Sequence, residues 1–231
     1  MPRPLDADLP DFASIDDIHL KKQTFFDFLQ PYVDAKNAEV RQQRRRLQLL
    51  VTKIKSGSTL RQHENVFLWE LARNYQLKTD DLYDPVFLER LLHRVDVLPP
   101  SLVLAQAANE SAWGTSRFAQ EGYNFFGQWC YTEGCGFVPV RRRANASHEV
   151  KSFSSIEEAV NAYFLNINTF PSYQDLRLIR QALRQDAKPI DGISLAKGLR
   201  EYSERGDAYI NELQNMIYKN NLLARDKTLY P

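Results

Sequence analysis

A mainly helical α+β fold, with one small β-hairpin lobe set among the helices, follows from three features of this 231-residue chain. Apolar residues recur at the helical period, most clearly at Ile156, Ala159, Val160, Tyr163, Phe164 and Ile167, the ladder of one buried helix face. Proline or glycine stands between such stretches, at Gly57, Pro85, Pro99, Pro100 and Gly114, where helices open and close. Between Gly122 and Ser152 the style changes. Four of the nine glycines and both cysteines gather there around the strand-like pieces FVPV and EVKSF, which reads as a hairpin.

Residues 1–15 are rich in proline and aspartate without periodicity and read as a flexible tail. A helical N-terminal region over 16–95 follows. Within it Val40, Leu47, Leu50, Val51 and Ile54 share one face of a helix over 34–55, with the run Arg44, Arg45, Arg46 on its solvated side. Ser58 or Thr59 caps a second helix bearing Phe67, Leu68 and Leu71, and Asp84 before Pro85 opens a third. A second region spans 96–222. The proline pair opens a helix over 101–113. After the hairpin, Ser155 and Glu158 form a capping box for the ladder helix. Short helices over 176–183 and 195–199 precede a last one, capped by Asp207, whose face is Ile210, Leu213, Met216 and Ile217. Residues 223–231 read as a C-terminal tail.

Lys and Arg number 30 against 29 Asp and Glu, a net charge of +1, so no global field steers the chain to nucleic acid or anionic lipid. The arginine run carries no interleaved aromatic platform, which argues against a nucleic-acid partner. No apolar stretch approaches the ~18 to 20 residues of a membrane span. The first twenty residues contain five aspartates and no apolar core, unlike a signal peptide. Two cysteines alone cannot hold zinc; Cys130 and Cys135 read as free or mutually bonded thiols in a turn.

The second region gathers a carboxylate near a helix end (NESAWG), an aromatic and glycine-rich turn (YNFFGQW), the hairpin, and a late aromatic pair (EYSERGDAY). Polysaccharide clefts need flat aromatic faces for pyranose rings and a carboxylic acid to protonate a glycosidic oxygen. Glu110 suits that acid. It shares a helical face with Val103 and Ala107, and in the last turn it meets the negative end of the helix dipole. Partial desolvation and the dipole both favour its protonated form.

The segments LVLAQAANESAWGTS and YNFFGQW together resemble the Glu-Ser-x-Trp-Gly and Asn-Leu-Phe-Gly signatures of the glucosaminidase domain of glycoside hydrolase family 73. The resemblance extends to the bacterial Bax-type group, which shares the cysteine pair after the turn and a helical N-terminal region. It covers residues 95–220 and implies a lysozyme-like fold for 96–222. It also implies an endo-β-N-acetylglucosaminidase that cleaves the glycan strand of peptidoglycan without cofactor or metal. Its partner would be that glycan, with neither nucleic acid nor membrane insertion, and a monomer is the simplest state. The setting implied is periplasmic or exported, with a leader removed, and in that oxidising compartment Cys130 and Cys135 are expected to form a disulfide.

Position by position, Glu110 matches the family's general acid. Asn124, Phe125, Phe126 and Gly127 match its turn, where Asn124 would brace the cleft and Phe126 would pack. Tyr202 matches the tyrosine of a Tyr-Ala-Thr-Asp motif that reads Tyr-Ser-Glu-Arg here, and Tyr209 follows seven residues on where the family commonly has six. Trp113, Tyr123, Trp129 and Tyr131 are platform candidates, completing with Asn124, Phe126 and Tyr209 a substrate-binding set. For a second catalytic carboxylate, Glu149 on the second strand and Glu133 in the turn are available. A route in which the substrate's 2-acetamido oxygen attacks the anomeric carbon needs neither. His148 with Arg141, Arg142 and Arg143 forms a basic, mobile hairpin tip facing acidic stem peptides. Two rival readings remain at this point, a lytic transglycosylase and a non-catalytic glycan-binding or scaffold module.

Overall fold

Asp17 starts the first helix, its carboxylate accepting from the backbone N–H groups of His19 and Leu20 at 2.7 and 3.0 Å. The computed structural model describes residues 8–139 and 148–229. Helix α1 runs over Ile18–Lys55 and so begins well before the expected residue 34. The crowded phenylalanines and Pro31 hide its period. Proline inside a helix costs about 3 kcal/mol, but Phe28, Leu29, Tyr32 and Val33 around it are all buried, each contributing about 1.5–3 kcal/mol.

α1 serves two cores. Its Phe25, Phe26, Phe28, Leu29, Val33 and Val40 join the larger one, built with residues from Val97 onward. Leu47, Leu50 and Val51 instead pack with α2 (Gln62–Asn74) and α3 (Pro85–Arg94) in a smaller one. The two cores therefore share α1. Arg44, expected on the solvated side, turns inward and donates to the carbonyls of Leu92 and, at 3.0 Å, Val95. Among the described residues no helix is long and apolar enough to cross a membrane.

Helix α4 (Pro100–Glu110) forms the axis of the larger core: every residue from Pro100 to Ala108 is buried. A helix apolar on all sides is stable only when surrounded, and α1, α8 (Gly192–Ala196), α9 (Asp207–Lys219) and the 3-10 segment Leu222–Leu229 enclose it. α4 ends at Glu110, three residues before the expected Trp113. The Ser111 hydroxyl donates to the carbonyl of Ala107 at 2.6 Å and accepts from the N–H of Gly114 at 2.8 Å. Ala112, Trp113 and Gly114 all take left-handed φ, and a Cβ on Gly114 would lie 2.4 Å from the Phe12 ring.

Both expected tails contribute to this core. Phe12 is fully buried against Phe25 and Phe28. In the 3-10 segment, Asp226 accepts from the backbone N–H and the hydroxyl of Ser101 at 2.7 and 2.6 Å, capping the start of α4. Sequence patterns missed these because one buried phenylalanine or aspartate leaves no periodic trace. α8 begins three residues before the expected 195, on its cap Asp191, and the N-cap of α9 is Gly206 at φ +51°.

The β lobe is a three-stranded antiparallel sheet with β3 (Glu149–Lys151) between β1 (Trp129–Cys130) and β2 (Gly136–Phe137). β1 is an addition to the expected hairpin. Trp129 and Phe137 both oppose Val150, and the Cys130–Cys135 disulfide closes the β1–β2 turn with Cα atoms 6.3 Å apart. Arg141, Arg142 and Arg143 lie outside the described residues. Helix α5 (Arg117–Gly122) precedes the lobe, and α6 (Ile156–Thr169), capped by Ser155, and α7 (Gln174–Gln185) follow it.

Candidate active site

Glu110 stands at the half-buried end of a helix otherwise enclosed, with one edge in a cleft between the β lobe and α6. The cleft has a volume of about 470 Å³, and its walls include Gly127, Trp129, Tyr131, Phe170, Tyr173 and Tyr202. The two carboxylate oxygens of Glu110 differ. Oε1 accepts from Asn109 Nδ2 at 3.1 Å and from the Tyr209 hydroxyl at 2.9 Å. Oε2 lies beside Gly127, where φ is +61° and a Cβ would come within 3.3 Å of it.

The turn that brings Gly127 to Glu110 is held by Asn124. Its Nδ2 donates to the carbonyls of Gln128 and Lys151, both at 2.8 Å, and its Oδ1 accepts from the N–H of Gln128 at 3.0 Å. Phe126 is buried and stacks on Tyr163 with centroids 4.2 Å apart. The Tyr202 hydroxyl donates to the Phe126 carbonyl at 2.7 Å. Behind the carboxylate the Tyr202 and Tyr209 rings lie parallel, 5.7 Å apart, and Tyr173 continues the row.

A relay of donors ends on Glu110. The Tyr163 hydroxyl donates to Gln106 Oε1, Gln106 Nε2 donates to the Tyr209 hydroxyl at 3.0 Å, and that hydroxyl donates to Glu110. An amide has one accepting end and one donating end, so fully buried Gln106 gives the relay its direction. With two donors on Oε1, Oε2 is the oxygen left open beside Gly127. Burial pushes the phenols of Tyr163, Tyr202 and Tyr209 above the ordinary tyrosine range, with the Glu110 charge adding to it. They remain donors at neutral pH.

The structure brings together Glu110, Tyr202, Tyr209, Trp129 and Tyr131 from the expected set. Two members of the expected substrate-binding set lie elsewhere, and two brace the turn. Trp113 packs edge-on against Phe25 and Phe26 of α1, with the Lys22 ammonium 5.0 Å above its ring. Tyr123 is a left-handed C-cap of α5, half-buried against the larger core. Asn124 braces the turn and Phe126 packs beneath it, as their match to the family's turn implied. Glu149 is also corrected. It is buried, accepts from the N–H groups of Gly134 and Gly136 at 3.1 and 2.9 Å, and is absent from the cleft wall. Its carboxylate satisfies the turn beneath the disulfide. Cys130, Cys135 and Glu149 lie close enough together to suggest metal ligands, but the sulfurs are bonded to each other and the carboxylate is taken by backbone donors. Glu133 is exposed in that turn, away from the cleft wall. The sequence reading missed Gln106 and Tyr163; the signal for Gln106 was a single amide in the apolar run LVLAQAA.

Residues 87–222 match the model of the glucosaminidase family, described as mannosyl-glycoprotein endo-beta-N-acetylglucosaminidase. The chain belongs to the glucosaminidase family. It is 32% identical over 217 residues to Protein bax of Escherichia coli (strain K12), covering 94% of this chain and 76% of that protein. It is thus a Bax-type protein with a glucosaminidase domain. No solved structure matches it. Membership in this family supports a glycosidase-type function related to peptidoglycan.

Proposed function

We propose that this protein is an endo-β-N-acetylglucosaminidase of peptidoglycan glycan strands with Glu110 as its general acid. The observation that carries this reading is the asymmetry of the Glu110 carboxylate: Oε1 is held by Asn109 and Tyr209, while Oε2 lies at the open side of the cleft next to Gly127. A proton on Oε2 passes to the glycosidic oxygen as the bond to the anomeric carbon breaks, and the leaving sugar departs as an alcohol. Trp129 and Tyr131, both exposed on the cleft wall, supply faces for sugar rings.

Among the described residues of that wall Glu110 is the sole carboxylate, which favours the substrate-assisted route. The 2-acetamido oxygen bonds to the anomeric carbon as the leaving group departs, giving an oxazolinium. Water then opens that ring, yielding one proton to the Glu110 carboxylate and restoring the acid. A lone carboxylate equally suits a lytic transglycosylase, in which a hydroxyl of the same sugar replaces water. Export is part of the proposal. The glycan lies outside the cytoplasm, and the Cys130–Cys135 disulfide suits an oxidising compartment.

Mass spectrometry of a digest of purified peptidoglycan tests the proposal. Fragments ending in reducing N-acetylglucosamine support hydrolysis, and 1,6-anhydro ends replace it with the transglycosylase. Glycan capture without any fragment would leave a binding module.

A further inference from the structure

The cleft of Glu110 extends beyond the part of the chain that carries the family signatures. Gln76, in the turn after α2, lines it, although α2 and that turn precede the residues 87–222 that match the family. A second hollow of about 400 Å³ adjoins the cleft. Two strips of surface border both spaces. Ala162 and Leu165, one turn apart on α6, line the cleft and the hollow alike. The other strip is the end of α2, with Gln76 in the cleft and Asn74 and Tyr75 in the hollow. Two spaces that share both walls form one groove, running from Trp129 past Glu110 to the smaller core.

The end of α2 is firmly placed. Arg94 of α3 donates from Nη1 to the carbonyls of Tyr75 and Gln76 at 2.7 and 2.8 Å, and the Tyr75 hydroxyl donates to Gln43 Oε1 of α1 at 2.9 Å. Three amide side chains remain open to the groove: Asn74 and Gln76 are exposed, Asn161 of α6 is half-buried, and none bonds to another described residue. Each offers a donor and an acceptor. The charged groups of the hollow are already engaged. Lys36 pairs with Glu39 at 2.8 Å, and Glu158 accepts from the N–H and the hydroxyl of Ser154, both at 2.7 Å. Their sum is negative, which repels an acidic stem peptide. Open amides beside the half-buried Ala162 and Leu165 instead suit a neutral sugar, with hydroxyl and acetamido groups at its edge and an apolar ring face.

We propose that the smaller core completes the substrate groove: the amides of Asn74 and Gln76, with Asn161 of α6, bind sugars of the glycan strand beyond those at the reaction centre. The identity of the strand rests on the glycosidase reading. Each amide meets a hydroxyl or acetamido group, and Ala162 and Leu165 lie under the apolar face of a ring. A strand long enough to reach the smaller core gains these contacts, whereas a short one is held by the cleft alone. The protein is therefore selective for extended glycan, and both cores hold the strand.

Calorimetric titration with the β-1,4-linked disaccharide and hexasaccharide of N-acetylglucosamine reads the groove, and fragment release from purified peptidoglycan reads the glycosidase beside it. The full chain carrying Glu110→Gln is titrated so that the hexasaccharide is not consumed; if that variant does not fold, the unsubstituted chain is titrated in the cold. The hexasaccharide should bind about tenfold more tightly than the disaccharide. Asn74→Ala combined with Asn161→Ala should remove most of that advantage, as expected for two lost hydrogen bonds. Gln76→Gly, which retains the left-handed φ of +54°, should lower it further. Absent or equal affinity for the two lengths overturns the proposal, as does an advantage that these variants leave unchanged; fragments released from peptidoglycan in either case leave the glycosidase standing. A length advantage that the variants remove, with no fragments from the unsubstituted chain, keeps the groove and removes hydrolysis.

Discussion

At the first turn of α4 the carboxylate of Asp226 accepts from the N–H and hydroxyl of Ser101; at the last turn the carboxylate of Glu110 opens onto the cleft beside Gly127. The N-terminal end of a helix is favourable for an anion and the C-terminal end is not. Even so, burial outweighs the donors around Asp226, and its pKa is pushed up to about 6. Glu110 occupies the end the dipole disfavours but keeps one edge in the cleft. The comparison teaches that position along a helix does not decide what a carboxylate does. The first is enclosed and serves as a cap; the second keeps Oε2 beside Gly127 at the cleft, where the proposed acid role needs it.

The largest expected effect is at the open end. Glu110→Gln should lower glycan cleavage by about 10²–10⁴-fold, equivalent to roughly 3–5.5 kcal/mol of barrier, as measured by fragment release. Its melting temperature should stay level or rise, because a carboxylate at the negative helix end is kept at a cost in stability. Near-full turnover in this variant would put the acid elsewhere. Failure to fold would make Glu110 a structural group like Asp226 and erase the contrast.

At the closed end the effect is on stability and depends on pH. The folded-state pKa of Asp226 is raised from 3.8 to about 6, so the folded chain holds this proton where the unfolded chain has released it. The associated stability is fully present below about pH 4 and is lost as pH rises through about 6, a change of up to about 3 kcal/mol. Urea denaturation between pH 4 and 7 should record that decline, and Asp226→Asn, a mimic of the protonated acid, should flatten it. An equal decline in the variant assigns the pH dependence to other groups.

Between the two ends, Gln106→Leu should slow glycan cleavage about 10- to 100-fold by freeing the Tyr209 hydroxyl to turn and the acid's proton to settle on Oε1. Tyr163 and Tyr209 each lose a partner, with a stability loss of about 1–3 kcal/mol. Activity per folded molecule on a glycoside with an activated aryl leaving group should hold, since such a group leaves without a proton. Equal losses on both substrates would mean the relay does not position the acid. The smallest effect belongs to Glu121→Gln. Glu121 is also in the last turn of a helix but is exposed and paired with Arg117 at 3.3 Å; activity should stay within a few fold and stability within about 1 kcal/mol.

What could be read from the sequence divides along the same lines. Ser155 caps α6 through the N–H of Glu158 at 3.1 Å, and the apolar ladder of that helix is buried as its spacing implied, because caps and periods are local signals. The placement of Glu110 at a helix end was legible for the same reason. The partners of Glu110 were harder to see, since Tyr209 lies 99 positions away and nothing near either residue marks the pairing. Trp113 and Glu149 were misread for one shared cause. An aromatic ring and a carboxylate announce their chemistry in sequence, whereas the left-handed turn after α4 and the backbone N–H groups under the disulfide decide where each points.

One feature of the first helix governs how the molecule comes apart. The two cores share α1, so their boundary is a continuous ladder of helical hydrogen bonds rather than a flexible joint. Near its middle Asn37 is buried and clamped to Leu98, donating to its carbonyl at 2.8 Å and accepting from its N–H at 3.0 Å. Loss of the smaller core therefore frays α1 backwards from Lys55 and stalls at Val40, which the larger core and this clamp hold. Amide protons on the two sides of Val40 then belong to different cooperative units, those beyond it exchanging through a partial opening and those around the clamp only when the whole chain unfolds.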